Sequence, residues 1–366
     1  MKEKKQKDPG KKKTARIVVG SIFGVFALFV LTVVMITVIG NKALIKRAKS
    51  YDPAVIENQL VPEKDENGYW TFTTDRDLKV MQLTDIHIGG GWLSLKQDAQ
   101  ALNAVATMIQ AEKPDLVVVT GDMAFPVFFK AGTFNNLLSA KEFAALMERL
   151  GVYWTVAFGN HDSEIYSYYS REKVADFYGS PEFKYCLFQK GPDDVDGYGN
   201  QIINVKNSKG LLTQSIYIFD SHSYTDGDYF GIMWKYDNIH DNQIEWYRDN
   251  ANLMNKQNNA RLKELGMPED SDVKSIAFLH VPLPEQRTAW YEYMANGFKD
   301  TEDVKYVYGK AGEGKKIIYC GQRQDNLFKT MQELGSTDGI FYGHDHDNNF
   351  SIYYKGIRMT YSYSVD

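Results

Sequence analysis

Cysteine is scarce: Cys186 and Cys320 are the only two in 366 residues. That excludes a disulfide scaffold and a zinc module built on thiolates. Proline (10) and glycine (29) are not enriched, and 43% of residues are apolar, so a disordered or collagen-like chain is excluded while a large core is not. No repeat of 20–50 residues is visible, which removes solenoids and propellers. Positive charge is missing from most of the chain. The net charge of −5 hides a segregation in which residues 1–16 hold eight basic and two acidic residues, and residues 41–50 add Lys42, Lys46, Arg47 and Lys49 with no acid. Residues 51–366 are left with 30 basic against 45 acidic residues, a net of −15. Such an acidic body lacks the positive footprint that a nucleic-acid partner requires.

Charge of either sign is absent from Ile17–Gly40, a run of 24 residues. As a helix it extends ~36 Å, enough to cross a ~30 Å hydrocarbon layer with some tilt. A cleaved leader has a shorter apolar stretch, of ~7–15 residues, and Asn41-Lys42-Ala43-Leu44 is a weak cleavage signal. The segment is therefore expected to be a single-pass, uncleaved signal anchor. Eight basic residues before it and four after it predict a cytoplasmic N-terminus and a body outside the cytoplasm. The organisation expected is a basic tail over 1–16, a transmembrane helix over 17–40, a linker over 41–68 and a catalytic domain over 69–366. Both cysteines would then face an oxidising compartment and could pair, though spacing alone does not decide it. Asn349-Phe350-Ser351 is a lone glycosylation sequon.

Within the body, apolar β-rich runs alternate with helical patterns. The runs are Tyr69–Thr73, Leu78–Leu83, Leu116–Thr120, Val152–Phe158, Ser215–Phe219, Ser275–Leu279 and Gly339–Tyr342. Helical periodicity appears over Leu95–Glu112, Ala140–Leu150, Ile244–Leu265 and Asp325–Leu334, with Ala101, Leu102, Val105, Met108 and Ile109 on one face. This alternation predicts a layered α/β domain with buried strands under covering helices. Gly191–Gly199 and Glu285–Gly314 lack clear periodicity and are expected to be loops or active-site rims.

Five of the runs end in metal-capable residues: Asp85-Ile86-His87, Gly121-Asp122, Gly159-Asn160-His161-Asp162, His280, and Gly343-His344-Asp345-His346. In open α/β sheets ligands gather at the carboxyl ends of strands, where all five groups lie. In extended chain, i and i+2 point the same way, so Asp85 with His87, and His344 with His346, can face one point. The glycines permit sharp turns beside a crowded site. Imidazole, carboxylate and amide donors together suit Mn, Fe or Zn, whereas Ca prefers oxygens alone. Five of the seven histidines stand at a strand end. One such histidine is more often structural, but five are not.

The ordered series D-x-H, G-D, G-N-H-D, a lone H and G-H-x-H over residues 85–346 resembles the calcineurin-like metallophosphoesterases. Phe278–Glu285 and Gly343–Asn348 are most similar to membrane-anchored yeast phosphatases and small plant purple-acid-phosphatase-like proteins. The resemblance implies a four-layer αββα sandwich of two mixed sheets, preceded here by one transmembrane helix. It implies two divalent metal ions, one held by Asp85, His87 and His346, the other by Asn160, His280 and His344, with Asp122 bridging. His161 would bind no metal and would act as general acid while a bridging hydroxide attacks phosphorus in line. Purple acid phosphatases carry Tyr where Gly121-Asp122-Met123-Ala124-Phe125 has Phe, so no tyrosinate-held ferric iron is expected. Only Ser351–Ser364 follows the last motif, room for two short strands, where relatives run further.

Asp162 and Asp345 stand beside ligands and could orient imidazoles or accept local backbone hydrogen bonds. His222 could touch substrate or be solvated, and His240 is expected on the surface before a helix. Trp92 and Trp290 could stack a substrate ring, but packing in the core or rim is the favoured expectation. The favoured activity is a phosphomonoesterase acting on a phosphorylated small molecule, lipid or protein. The alternatives are a phosphodiesterase or pyrophosphatase on nucleotides or lipid-linked phosphates, and a catalytically idle membrane-anchored scaffold. The sequence sets neither the substrate nor the oligomeric state.

Overall fold

In the computed structural model, which describes residues 9–225, 227–269, 272–313 and 317–365, the chain opens with helix α1, Pro9–Ala48. The basic residues before position 9 lie outside the described residues. Through Arg16–Ala48 this helix is long and apolar enough to cross a membrane, alone in this among the described residues. It does not stop at Gly40. Thr37, Asn41, Leu44 and Ala48, spaced by three or four residues and so on one face, are buried against the domain. Leu44 and Ala48 join its core. The expected linker over 41–68 is thus corrected over its first eight residues, which continue the helix. An apolar stripe with basic residues on the other face reads as a charged connector when only charge is counted.

After α1 come β1 (Glu63–Lys64), β2 (Trp70–Thr73), β3 (Val80–Leu83), α2 (Leu95–Glu112) and β4 (Leu116–Thr120). Next are α3 (Phe128–Ala131), α4 (Asn136–Leu150), β5 (Tyr153–Ala157), a 3-10 turn at His161–Ser163 and α5 (Arg171–Tyr178). The second half runs β6 (Gln201–Lys206), β7 (Leu212–Ile218), α6 (Asp241–Glu264), β8 (Ser275–Phe278) and α7 (Pro284–Ala295). It closes with β9 (Val304–Tyr308), α8 (Leu327–Leu334), β10 (Thr337–Tyr342), β11 (Ser351–Tyr354) and β12 (Ile357–Tyr361).

The strands form two sheets. One has three strands in the order β3-β4-β5; the other has nine, in the order β1-β2-β6-β7-β8-β10-β12-β11-β9. The larger sheet is mixed, as expected. The smaller is parallel throughout, because each of its crossovers carries a covering helix, α2 or α4. Alternation along β4 explains the layering: Val117 and Val119 face the helical core, while Leu116 and Val118 face the opposite sheet. One core joins the small sheet to α1, α2 and α4, and a second lies between the sheets. A third joins the large sheet to α6, α7 and α8, completing four layers, α-β-β-α.

Three strands were illegible as runs: the two-residue β1, which lies inside the expected linker, β6 and β9. In β6, Gln201 and Asn204 are polar yet buried; Gln201 Nε2 donates to Val156 O at 3.3 Å, and Ser215 Oγ donates to Asn204 Oδ1 at 2.8 Å. Residues 285–314, expected to lack regular structure, include most of α7 and all of β9. There Trp290 lies buried 4.4 Å from the Phe350 ring, a core residue as expected. Cys186 and Cys320 are both free thiols, so the pairing left open by the sequence does not occur. Cys186 joins the edge of β5 through Trp154, among residues of the helical core of the small sheet.

Candidate metal centre

The C-terminal ends of β3, β4 and β5 from one sheet, and of β8 and β10 from the other, converge where the sheets face each other. The loops after β3, β4 and β10 are strained in the same way: Asp85, His87, Asp122 and His344 all have positive φ, at 49°, 53°, 49° and 77°. Left-handed backbone at non-glycine residues costs of order 1–3 kcal/mol each and persists only where the surroundings over-determine it. Here they do. Asp85 N donates to Gly121 O at 3.1 Å and His87 N to Asp122 O at 3.1 Å, which ties the first two loops together. Asp162 accepts from the backbone N–H of Gly159 at 2.8 Å, Ala124 at 2.9 Å and Asp122 at 3.0 Å. Of its two expected roles it therefore takes the backbone one. Burial, with Asp122 beside it, pushes its carboxyl up to about 6.

Glycine is required by contact as well as by turning. A Cβ on Gly343 would stand 1.9 Å from Thr84 Oγ1, and one on Gly159 would stand 2.2 Å from Asp122 Oδ1.

Three overlapping donor groups result, one of them being His87, Asp122 and His161, whose ligand atoms lie within 4.8 Å of one another. One ligand atom each from Asp85, His87 and His346 lie within 4.8 Å of one another, and so do one each from Asp122, His280 and His344. Asp122 links them, its Oδ2 lying 3.0 Å from His280 Nε2 and 3.8 Å from His87 Nε2. His346 Nε2 is 3.5 Å from Asp85 Oδ1. Asn160 Oδ1 faces His280 Nε2 at 3.2 Å, and His344 Nδ1 lies 3.3 Å from that same nitrogen. His280 Nδ1 lies 2.8 Å from Thr120 O, the partner that fixes Nε2 as the free lone pair. All seven residues expected as ligands are therefore brought together.

A pair of ions fits this donor set. His344 Nε2 is buried and takes part in no hydrogen bond, and the buried oxygens Asp85 Oδ1 and Asp122 Oδ2 face imidazole nitrogens, that of His346 at 3.5 Å and those of His280 and His87 at 3.0 and 3.8 Å. Orphaned buried polar atoms are costly unless something else coordinates them. Burial alone would raise the Asp122 carboxyl, but His280 and His161 beside it hold it well below the usual carboxylate range. For His280 burial acts downward, and Asp122 overrides it to about 9. Burial and the neighbouring His280 drive His344 well below its ordinary value. A metal takes the neutral imidazole, so an ion bound there would displace the proton that Asp122 holds on His280.

His161 is placed differently. Its Nδ1 lies 2.6 Å from Glu164 Oε1, and its ring lies 4.4 Å from that of Phe125. Its backbone N–H donates to Asp122 Oδ1 at 2.7 Å. Glu164 is buried and also accepts from Tyr224 Oη at 3.2 Å, while Asn160 Nδ2 donates to the same hydroxyl at 2.9 Å. Arg171 Nη2 donates to Gly159 O at 2.7 Å and to Ser223 Oγ at 2.6 Å, and its Nη1 pairs with Asp220. Trp234, Tyr236, Glu313 and Tyr319 rim a cavity of about 250 Å³ over the donors. Of these, only Glu313 lies in a stretch expected from sequence as a possible active-site rim; Glu164, Arg171, Tyr224, Trp234, Tyr236 and Tyr319 were not found from sequence. For those, the only usable signal was the position of Glu164, one turn after His161.

The remaining candidates sit apart. Asp345 accepts from Tyr361 Oη at 2.6 Å, Asn348 Nδ2 at 3.1 Å and Tyr319 N at 3.3 Å, so it braces its loop and orients no imidazole. His222 does not face the donors: its Nε2 lies 2.9 Å from Gln243 Oε1 and its ring stacks on His240 at 4.1 Å. His240 precedes α6, as expected, with Nδ1 2.6 Å from Asp196 Oδ2. His222, Asp237 and His240 could offer donors within 4.8 Å, but stacked imidazoles aim their lone pairs side by side and not at one ion.

Residues 78–348 match the model of the calcineurin-like phosphoesterase family. The chain is similar to the Arabidopsis thaliana protein called probable inactive purple acid phosphatase 14, with 28% identity covering 80% of this chain and 71% of that one. It is also similar to the Saccharomyces cerevisiae phosphatase DCR2, with 26% identity over 76% of this chain and 46% of that one. Among solved structures it is similar to a dimetal phosphatase from Danio rerio, at 11% identity and a TM-score of 0.48, covering 79% and 88% of the two chains. With the family model spanning well over half of its length, the chain belongs to the calcineurin-like phosphoesterases.

Proposed function

We propose that this phosphoesterase hydrolyses phosphoric monoesters at two divalent ions, Mn, Fe or Zn, outside the cytoplasm and beside the membrane that α1 crosses. Asp85, His87 and His346 hold one ion; Asn160, His280 and His344 hold the other, with Asp122 shared. The observation that supports this reading is the pair of three-donor groups linked at Asp122, with the buried Nε2 of His344 otherwise unused. When bound, two such ions supply positive charge to phosphoryl oxygens and a water acidic enough to act as nucleophile near neutral pH.

The chain supplies the rest. Glu164 and Tyr224 orient the His161 ring, with Nδ1 engaged by Glu164 Oε1 so that Nε2 is the nitrogen left for substrate. His161 Nε2 then protonates the leaving alcohol oxygen as its bond to phosphorus breaks. Asp162 and Arg171 hold the Gly159–His161 backbone against the Asp122 loop, which keeps acid and donors in one geometry. Phe125, in place of a tyrosinate, packs between His87 and His161 and offers no oxygen.

The test uses the full chain in phosphatidylcholine nanodiscs, stripped of metal and refilled with Mn, Fe(II), Zn or Mg. Hydrolysis of p-nitrophenyl phosphate is compared with that of bis(p-nitrophenyl) phosphate. Metal-dependent monoester turnover, lost in Asp122→Asn and His161→Ala, is expected. Failure to bind two ions, or faster diester turnover, would overturn it. Protease protection in sealed vesicles tests the orientation, since only the segment before residue 17 should be digested from the cytoplasmic side.

A further inference from the structure

A second cavity, of about 750 Å³, adjoins the metal centre across a wall made by His87 and Phe125. Beyond that wall its lining is mostly apolar and includes Leu93, Ala101, Ala104 and Phe129. Its volume is in the range of about 300–1,000 Å³ that holds a sizeable organic ligand. The Phe125 ring lies 4.9 Å from His87 and 4.4 Å from His161, so one aromatic layer separates the acid from the apolar space. Lys130 Nζ stands 4.8 Å over that ring and puts a positive charge at the junction. Phe129, on the cavity rim, is 90% exposed.

The cavity also has a fixed place relative to α1. Leu95, in the first turn of α2, packs so closely on Gly40 that a Cβ there would stand 2.5 Å from Leu95 Cδ2. Leu93, Ser94 and Gln97, on either side of Leu95, line the cavity. Gly40 is the last residue of the uncharged segment, and Thr37, one turn deeper, is already buried against the domain. One wall of the cavity is therefore held where α1 emerges from the apolar layer. An apolar cavity that starts behind His87 and Phe125 and reaches the residues packed on the end of the apolar segment suits a substrate with a polar head and a long apolar chain.

We propose that the substrate is a monophosphate ester of a long-chain aliphatic alcohol, with its phosphate at the donor groups and its chain in the cavity between α2 and α3. This rests on the hydrolase and anchor readings above. The bond broken joins phosphorus to the chain's terminal oxygen; that oxygen takes the proton from His161 Nε2, and a water oxygen joins phosphorus. The products are the free alcohol and inorganic phosphate. The leaving oxygen has to lie against His161, and Phe125 then directs the chain away from the polar mouth. Each methylene buried in the cavity adds about fourfold to affinity.

The experiment uses the full chain in phosphatidylcholine nanodiscs and a series of butyl, octyl and dodecyl phosphates, with p-nitrophenyl phosphate as the short reference. Two variants fill the cavity: Ala104→Trp, and Gln100→Trp on an exposed position of α2. A rise in kcat/KM of at least tenfold from butyl to dodecyl phosphate is expected, lost in both variants, with p-nitrophenyl phosphate turnover unchanged within twofold. In parallel, dodecyl phosphate binding to the metal-free protein is measured against empty nanodiscs. Binding at least fivefold weaker in the variants supports the cavity. A chain-length rise that survives both variants, or no binding above empty discs, overturns the proposal. Chain-selective binding without turnover of any ester under any metal keeps the aliphatic phosphate site and overturns the hydrolase reading instead.

Discussion

His161 Nδ1 and Glu164 Oε1 are 2.6 Å apart across one 3-10 turn, which makes a buried carboxylate the group that positions the imidazole proposed above as the acid. Replacing Glu164 with Gln keeps the shape and removes the charge. We expect kcat to fall by about 10–100-fold with KM nearly unchanged, since the contact acts on the proton donor and not on phosphate binding. The loss should be greater for an alkyl phosphate than for p-nitrophenyl phosphate, whose leaving group needs little protonation. Equal losses on both substrates would mean Glu164 serves only folding.

The second prediction concerns Asn41, whose amide donates to Glu142 Oε1 at 2.6 Å from within α1. A chain starting at residue 51 loses that bond and the buried side chains of Leu44 and Ala48. Unpairing a buried oxygen and exposing a leucine-sized surface together cost about 3–5 kcal/mol. A chain starting at residue 37 should therefore melt about 5–10 °C higher than one starting at 51, by calorimetry under one condition. Identical melting would show that α1 contributes nothing to the domain.

Glu142 also predicts a pH dependence. Burial and, secondarily, Asp98 push its carboxyl from 4.5 up to about 9. A carboxyl that holds its proton more tightly in the folded state stabilises the fold below the ordinary carboxylate pKa. That contribution is lost as pH rises through about 9. Tm should fall from pH 5 to pH 9, and Glu142→Gln, which cannot ionise, should flatten the slope. A variant with the wild-type slope would assign the pH dependence elsewhere.

Gly343 tests the close packing of the metal loops. A Cβ there would meet Thr84 Oγ1, which donates to Asp85 Oδ2 at 2.7 Å, and would come within 2.8 Å of that carboxylate oxygen itself. Gly343→Ala should destabilise by about 1–3 kcal/mol through overpacking. It should also reduce the ions bound per chain below two, as read by elemental analysis. Retention of two ions with wild-type stability would show that Thr84 can move freely.

Much of this protein was legible along the chain because its strands are short apolar runs and its chemistry sits at their ends. β4 and α2 match their expected limits, and Asp85, His87, Asp122, Asn160, His161, His280, His344 and His346 all lie two to four residues beyond the end of a strand. Local alternation and a hydrophobic run of bilayer length are properties of neighbouring residues, so the sequence alone determined the layered α/β class, the apolar helix and the donor set.

Only the tertiary structure decided what depends on residues far apart. Glu164 became a partner of His161 because a 3-10 turn folds back, and Tyr224 reaches it from 60 residues away. Asp162 could have turned to an imidazole or to backbone, and the crossing of the Asp122 and Gly159 loops chose backbone. The polar residues of β6 hid it as an apolar run, and Val156 O and Ser215 satisfy them only in the folded chain. The segment after Gly40 read as a charged linker, because the apolar stripe that docks Leu44 and Ala48 is visible only once α2 and α4 lie beside it. Composition records which groups a chain carries; which of them lose water, and against what, is set by packing between elements distant in sequence.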